Sequence, residues 1–161
     1  MERRKISFEL EVYPDEQGLS PEDRELLDRA RRARDAAYAP YSGFQVGAAV
    51  RMESGHIHLG NNQENASFPS GLCAERVAVF HAAAQYPGVG MKAIAISASG
   101  RTKPLKVPAA PCGNCRQSLL EYEQRQGYPI RLVLQGHGGE VYVCPSIAAL
   151  LPLGFDGSFL S

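Results

Sequence analysis

At 161 residues the chain has the length of one ordinary domain, and its 44% hydrophobic content lies in the globular rather than the disordered range. Its 17 basic and 17 acidic side chains cancel, which argues against a nucleic-acid partner, because counterion release by a basic excess drives such binding. No run of 18 or more apolar residues is present, which argues against a membrane partner, and Met1-Glu2-Arg3-Arg4-Lys5 interrupts any signal-peptide core with charge, so a cytoplasmic location is expected.

In chain order, Ile6 to Val12 alternates and predicts a short strand within an N-terminal extension, residues 1–20. Ser20-Pro21-Glu22-Asp23 is a helix start: Ser20 can cap, Pro21 fits the first helical position, and the acids face the positive end of the dipole. Leu26, Ala30, Ala33 and Ala37 share one face of that helix, which should end before Pro40. Arg24, Arg29, Arg31, Arg32 and Arg34 interleave with acids, and the pairs Glu25 to Arg29 and Asp28 to Arg32 read as a solvated helix face.

Phe44 to Arg51 reads as a buried strand, with Ser54-Gly55 turning into a second strand over His56 to Asn61. After a polar loop, Cys73 to Gln85 is a helix apolar nearly all round, which predicts burial on several sides and contact with another subunit. Lys92 to Ala98 is a short buried strand, and Cys112 to Gln126 is a helix. Ile130 to Gln135 and Val141 to Cys144 are strands joined by Gly136-His137-Gly138-Gly139, and Pro145 to Leu151 is a final short helix. This order predicts an α/β chain: a three-layer α/β/α sandwich around a mixed sheet of about five strands. Strands separated by helices should pair in parallel, and the two hairpins should be antiparallel. Residues 21–161 then form a single domain.

Four cysteines in a chain expected to stay in reducing conditions point to metal binding or catalysis rather than to disulfides. Cys73-Ala74-Glu75-Arg76 and Pro111-Cys112-Gly113-Asn114-Cys115-Arg116 both fall at predicted helix starts, where free N–H groups favour thiolates. The C-x-x-C spacing lets Cys112 and Cys115 reach one ion, and Cys73 supplies a third sulfur. Three protein ligands leave tetrahedral zinc an open position for water, whose pKa then falls toward neutrality. Glu75, two residues from Cys73, does not share its helix face. It is better placed as a proton carrier beside that water than as a ligand. Three thiolates and Zn²⁺ sum to about −1, and Arg76 can offset this by hydrogen bonding to a sulfur.

Other readings of these residues stand beside this one. A C-x-x-C pair alone also suits redox chemistry, and Cys144 could close a structural four-cysteine site in a non-catalytic zinc module. Cys144 lacks metal-like spacing, however, and a structural site gains nothing from Glu75. His56, His58, His81 and His137 look scattered, each a surface or packing residue rather than a ligand.

The residues Pro40 to Ala49 (PYSGFQVGAA), Asn62-Gln63-Glu64-Asn65-Ala66, Pro69 to Arg76 (PSGLCAER) and Pro111 to Gln117 (PCGNCRQ) together resemble the cytidine deaminase family, across about Pro21 to Phe155. The resemblance implies one zinc per subunit on Cys73, Cys112 and Cys115, with Glu75 as proton shuttle. It implies the general mechanism of zinc deaminases, in which zinc-activated water attacks the amino-bearing ring carbon. It further implies that Asn62 and Glu64 hydrogen bond the ribose hydroxyls and that Phe44 lines the base pocket. It implies too that the backbone near Ala66 and Ala74 contacts substrate and that Phe155 reaches a neighbouring subunit's site in a homotetramer. The expected activity is hydrolytic deamination of cytidine and deoxycytidine in pyrimidine salvage by a zinc-dependent deaminase domain. A rival substrate is another cytosine nucleoside such as blasticidin S. Gln63, where an aliphatic residue is usual, and Ala110, where Ser or Thr is common, depart from the family pattern.

Overall fold

The computed structural model describes residues 1–160. A six-stranded mixed sheet runs in the order β1-β6-β5-β4-β2-β3. Its strands are β1 (Glu11–Tyr13), β2 (Phe44–Met52), β3 (Ile57–Asn61), β4 (Met91–Gly100), β5 (Arg131–Gln135) and β6 (Val141–Cys144). Helix α1 (Pro21–Asp35) covers one face, packing Leu26, Leu27 and Ala30 on Ala49, Ala95 and Val133. Helices α2 (Ala74–Gln85) and α3 (Gly113–Gln126) cover the other, over Val50, Ile94, Ile96 and Leu132. The chain is thus the expected three-layer sandwich. No helix among the described residues is long and apolar enough to cross a membrane.

Local chemistry sets the helix ends. Ser20 accepts a hydrogen bond from the Asp23 amide, capping α1 as its sequence requires. Gly127, with φ of 77°, closes α3 in the left-handed region that glycine alone adopts without strain. Gly60 of β3 lets α2 lie almost on the strand: a Cβ there would stand 2.3 Å from the Ala78 nitrogen and 2.6 Å from the Ala74 carbonyl oxygen.

Several expectations change. The N-terminal strand shrinks from Ile6–Val12 to Glu11–Tyr13, because its partner β6 offers only four residues and pairs through three. This edge strand is the sixth of the sheet, where about five were expected. β4 and β5, separated by α3, pair in parallel as anticipated. β3 and β4, separated by α2, do not pair, because β2 inserts between them and is antiparallel to both. The final helix shortens to a 3-10 turn at Ala148–Leu150. The basic face of α1 is only partly solvated. Glu25–Arg29 and Asp28–Arg32 do form ion pairs, but Arg34 is buried and donates to Ser97 Oγ at 3.0 Å.

Candidate metal centre and its cavity

Cys73 and Cys112 occupy the N-cap positions of α2 and α3, with extended backbone and no side-chain cap bond. Cys115 follows on the first turn of α3. Two helix N-termini therefore converge on three sulfurs, and their unpaired N–H groups favour negative charge there. The sulfurs all lie within 4.8 Å of one another, and Cys73 Sγ is 3.9 Å from Cys112 Sγ. That is far beyond a disulfide bond. Sulfurs about 2.3 Å from one tetrahedral zinc stand about 3.8 Å apart, so the spacing fits the ion.

The electrostatics also call for a cation. Hydrogen bonding to Cys115, helped by Arg76, pushes the Cys73 thiol down to about 5, despite partial burial. The same interaction and burial push Cys115 up. Three adjacent sulfurs cannot all ionise without a compensating positive charge. Arg76 supplies part of it, since its charge acts on Cys73 and Cys115, yet its buried Nε has no hydrogen-bond partner among the described residues. Cys144 stands outside the group, buried at the end of β6, where desolvation raises its thiol pKa. The cluster is a three-sulfur site, and the residues suit zinc.

A cavity of about 250 Å³ opens at Cys73, and Phe44, Asn62, Glu64 and Glu75 line it with that residue. Glu75 is only 5% exposed, and burial lifts its carboxyl above the ordinary carboxylate range. Strand β4 contributes Ile96 and Ala98 as floor, while Ala109 and Ala110 close another wall. A wider cavity of about 550 Å³ adjoins it, sharing Ser42, Asn62, Glu64 and Cys73, with Tyr41, Phe68 and Arg76 beyond.

Asn62 and Glu64 are held tightly. Asn62 Oδ1 accepts from the Val46 amide at 2.8 Å, and Nδ2 donates to the Phe44 carbonyl at 2.9 Å. The side chain thereby adds a rung to the β2 ladder just past the end of β3. Its second carbonyl lone pair and second amide hydrogen stay available. Glu64 accepts from the amides of Tyr41 (2.9 Å) and Ser42 (3.3 Å) and from Ser42 Oγ. The Ser42 hydroxyl is the largest influence holding the Glu64 carboxyl below its ordinary value, so Glu64 is ionised. Ser42 Oγ in turn accepts from the Phe44 amide at 2.9 Å. Sequence reasoning passed over Ser42, although it lies within the quoted Pro40–Ala49 stretch.

Other positions expected from the sequence fall elsewhere. Ala74 is buried as the first residue of α2 and lines neither cavity. Ala66 is exposed and also lines neither. Phe155 is half exposed and stacks on Phe159 at 5.4 Å, outside both cavities. The histidines are less scattered than they read. His58 packs edge-on to His81 (5.3 Å between centroids), and both His56 and His58 contact the Tyr86 ring. None joins the sulfur cluster.

Sulfurs at paired helix starts, with a buried acid at hand in an adjoining cavity, define a protein built to hold a three-ligand metal in an α/β/α sandwich. The profile described as the cytidine and deoxycytidylate deaminase zinc-binding region matches residues 20–128, and the chain belongs to that family. It is 38% identical over 138 residues to a cytidine deaminase from Sporosarcina psychrophila, covering 84% of this chain and 93% of that one. It is 45% identical over 100 residues to the cytidine deaminase of Halalkalibacterium halodurans, covering 62% and 71%. The crystal structure of cytidine deaminase from Burkholderia pseudomallei superposes with a TM-score of 0.72 at 42% identity, over 82% of this chain and 98% of that one.

Proposed function

We propose that the chain is a zinc-dependent hydrolase that converts cytidine and deoxycytidine to uridine and deoxyuridine with release of ammonia. One observation carries the reading: buried Glu75 faces the same cavity as Cys73, Asn62, Glu64 and Phe44. Family membership and the 38% identity to a cytidine deaminase over most of both chains support it.

Cys73, Cys112 and Cys115 would hold the ion. When bound, zinc supplies Lewis acidity that makes water a nucleophile near neutral pH. The remaining work belongs to side chains. Replacing the ring amino group by oxygen forms one C–O bond and breaks one C–N bond, and two protons of water must travel to the ring nitrogen and to the departing amine. Glu75 moves both, as the buried carboxyl at the sulfur end of the cavity. Arg76 offsets the excess negative charge of three thiolates.

Binding divides between the two ends. Phe44 forms a wall for the pyrimidine ring, while the free hydrogen-bonding capacity of Asn62 and ionised Glu64 takes the ribose hydroxyls. Backbone near Ala66 and Ala74 completes these contacts. Phe155 serves a neighbouring subunit's site in a homotetramer. That reading is supported by its absence from the lining of both cavities of its own chain and by exposed Phe80 on α2. Residues 21–161 act as one deaminase domain, with residues 1–20 as an extension, in cytoplasmic pyrimidine salvage. Incubation with cytidine or deoxycytidine should produce a loss of ultraviolet absorbance matched one for one by ammonia. Absence of both with a zinc-loaded chain overturns the proposal.

A further inference from the structure

Helix α3 grips the C-terminal segment. Arg116 Nη1 donates to the Leu150 carbonyl at 2.8 Å, and Gln117 Nε2 donates to the Phe155 carbonyl at 2.8 Å. Buried Glu123 accepts from the amides of Ile147 (2.7 Å) and Ala148 (2.9 Å). Between the Arg116 and Gln117 contacts lies Leu153, the one non-glycine residue with positive φ (60°) among those described. Such a conformation persists only where surrounding contacts over-determine it.

Arg116 also reaches the other way. Its Nε donates to the Pro111 carbonyl at 2.8 Å. Pro111 immediately precedes the ligand Cys112 and has no amide hydrogen of its own. Among the described residues, no backbone–backbone hydrogen bond engages residues 108–111. The Arg116 side chain is therefore the polar tie that fixes the approach to Cys112.

We propose that Arg116 is a positioning residue that holds the Cys112 loop and the Phe155 segment as one unit through the carbonyls of Pro111 and Leu150. A guanidinium serves here because its planar fork presents donors in two fixed directions. Lysine, with a single ammonium, cannot span the pair equally well. The inference rests on the three-sulfur metal site and not on the choice of substrate.

The test uses the full-length, zinc-loaded protein carrying Phe155→Trp. The natural chain has no tryptophan, so the introduced indole reports on the segment alone. Two signals are followed: the rate of zinc transfer to a chelator and the fluorescence anisotropy of the indole. Arg116→Ala should speed zinc transfer about tenfold, the scale expected for losing a charge-assisted hydrogen bond, and should lower the anisotropy. Arg116→Lys should move both in the same direction by less. Gln117→Ala should lower the anisotropy and leave zinc transfer unchanged. Should Arg116→Ala fail to fold, the lysine and Gln117 variants decide. An Arg116 variant that moves one signal without the other, or neither, overturns the proposal. So does Gln117→Ala that speeds zinc transfer as much as the Arg116 variants. A parent protein that binds no zinc fails the metal-site reading instead, which keeps the two failures apart.

Discussion

Gly60→Ala tests whether α2 is seated as closely on β3 as the site requires. The added methyl would lie 2.3 Å from the Ala78 nitrogen and 2.6 Å from the Ala74 carbonyl oxygen, whereas ordinary contact begins near 3.4 Å. Both atoms are backbone, so the helix itself must retreat by about 1 Å. Overpacking of this kind costs about 1–3 kcal/mol. For a chain of this length that lowers Tm by about 2–12 °C. The same displacement carries Cys73 and Glu75 away from Cys112, Cys115 and the cavity, and a misplacement of about 1 Å lowers turnover about a hundredfold. Thermal melting and cytidine turnover are the assays. Gly138→Ala is the control, because nothing lies within 4 Å of its added methyl. It should change stability by less than about 0.5 kcal/mol. An unchanged Tm and unchanged turnover in Gly60→Ala would refute the close seating of α2.

Three further outcomes are expected. Ser42→Ala removes the hydroxyl that joins Glu64 to the Phe44 amide, so KM for cytidine should rise about tenfold with kcat little changed, and Ser42→Thr should recover much of it. Equal KM in wild type and Ser42→Ala would remove that role. Tyr128 is pushed up to about 12, chiefly by burial and then by its hydrogen bond to Glu53. Its folded pKa exceeds the usual value near 10, so the stability it contributes is complete below about pH 10 and is lost as pH rises toward 12. Tyr13 and Tyr142 are also raised, by hydrogen bonding to Glu11 and by burial respectively, so ultraviolet titration should show a late-ionising fraction of which the component near 12 vanishes in Tyr128→Phe. Finally, a chelator strong enough to strip the three sulfurs should abolish turnover and lower Tm, because zinc binds the folded chain preferentially. Full activity after verified zinc removal would contradict the cofactor assignment.

Much of the site was legible because its chemistry is local in sequence. Cys73-Ala74-Glu75-Arg76 and Cys112-Gly113-Asn114-Cys115 each announce a helix start carrying sulfur, and both do begin helices, with Cys73 and Cys112 at the N-cap positions. Strands β2, β5 and β6 were legible to within a residue or so, since turn residues bracket their apolar runs. Sheet order was not. Inserting β2 between β3 and β4 is a long-range choice that no periodicity records. Ile6 to Leu10 alternates like a strand, yet β6 is too short to pair with it. The dual use of Asn62, and the way Ser42 Oγ joins Glu64 to Phe44, depend on the loop after α1 folding over the end of β3. Spacing alone carries no signal for that. Arg34 read as part of a solvated charge face, and its burial follows from Gly47 admitting the α1 backbone against β2.

The central claim is that three sulfurs hold zinc while Glu75 moves protons. It is tested most directly by measuring zinc content and cytidine turnover side by side in the wild type, Glu75→Gln and Cys144→Ser. One zinc per chain is expected in all three. Turnover should fall by about 10²–10⁴ in Glu75→Gln and stay near wild type in Cys144→Ser. Undiminished turnover in Glu75→Gln, or loss of zinc in Cys144→Ser, would contradict it.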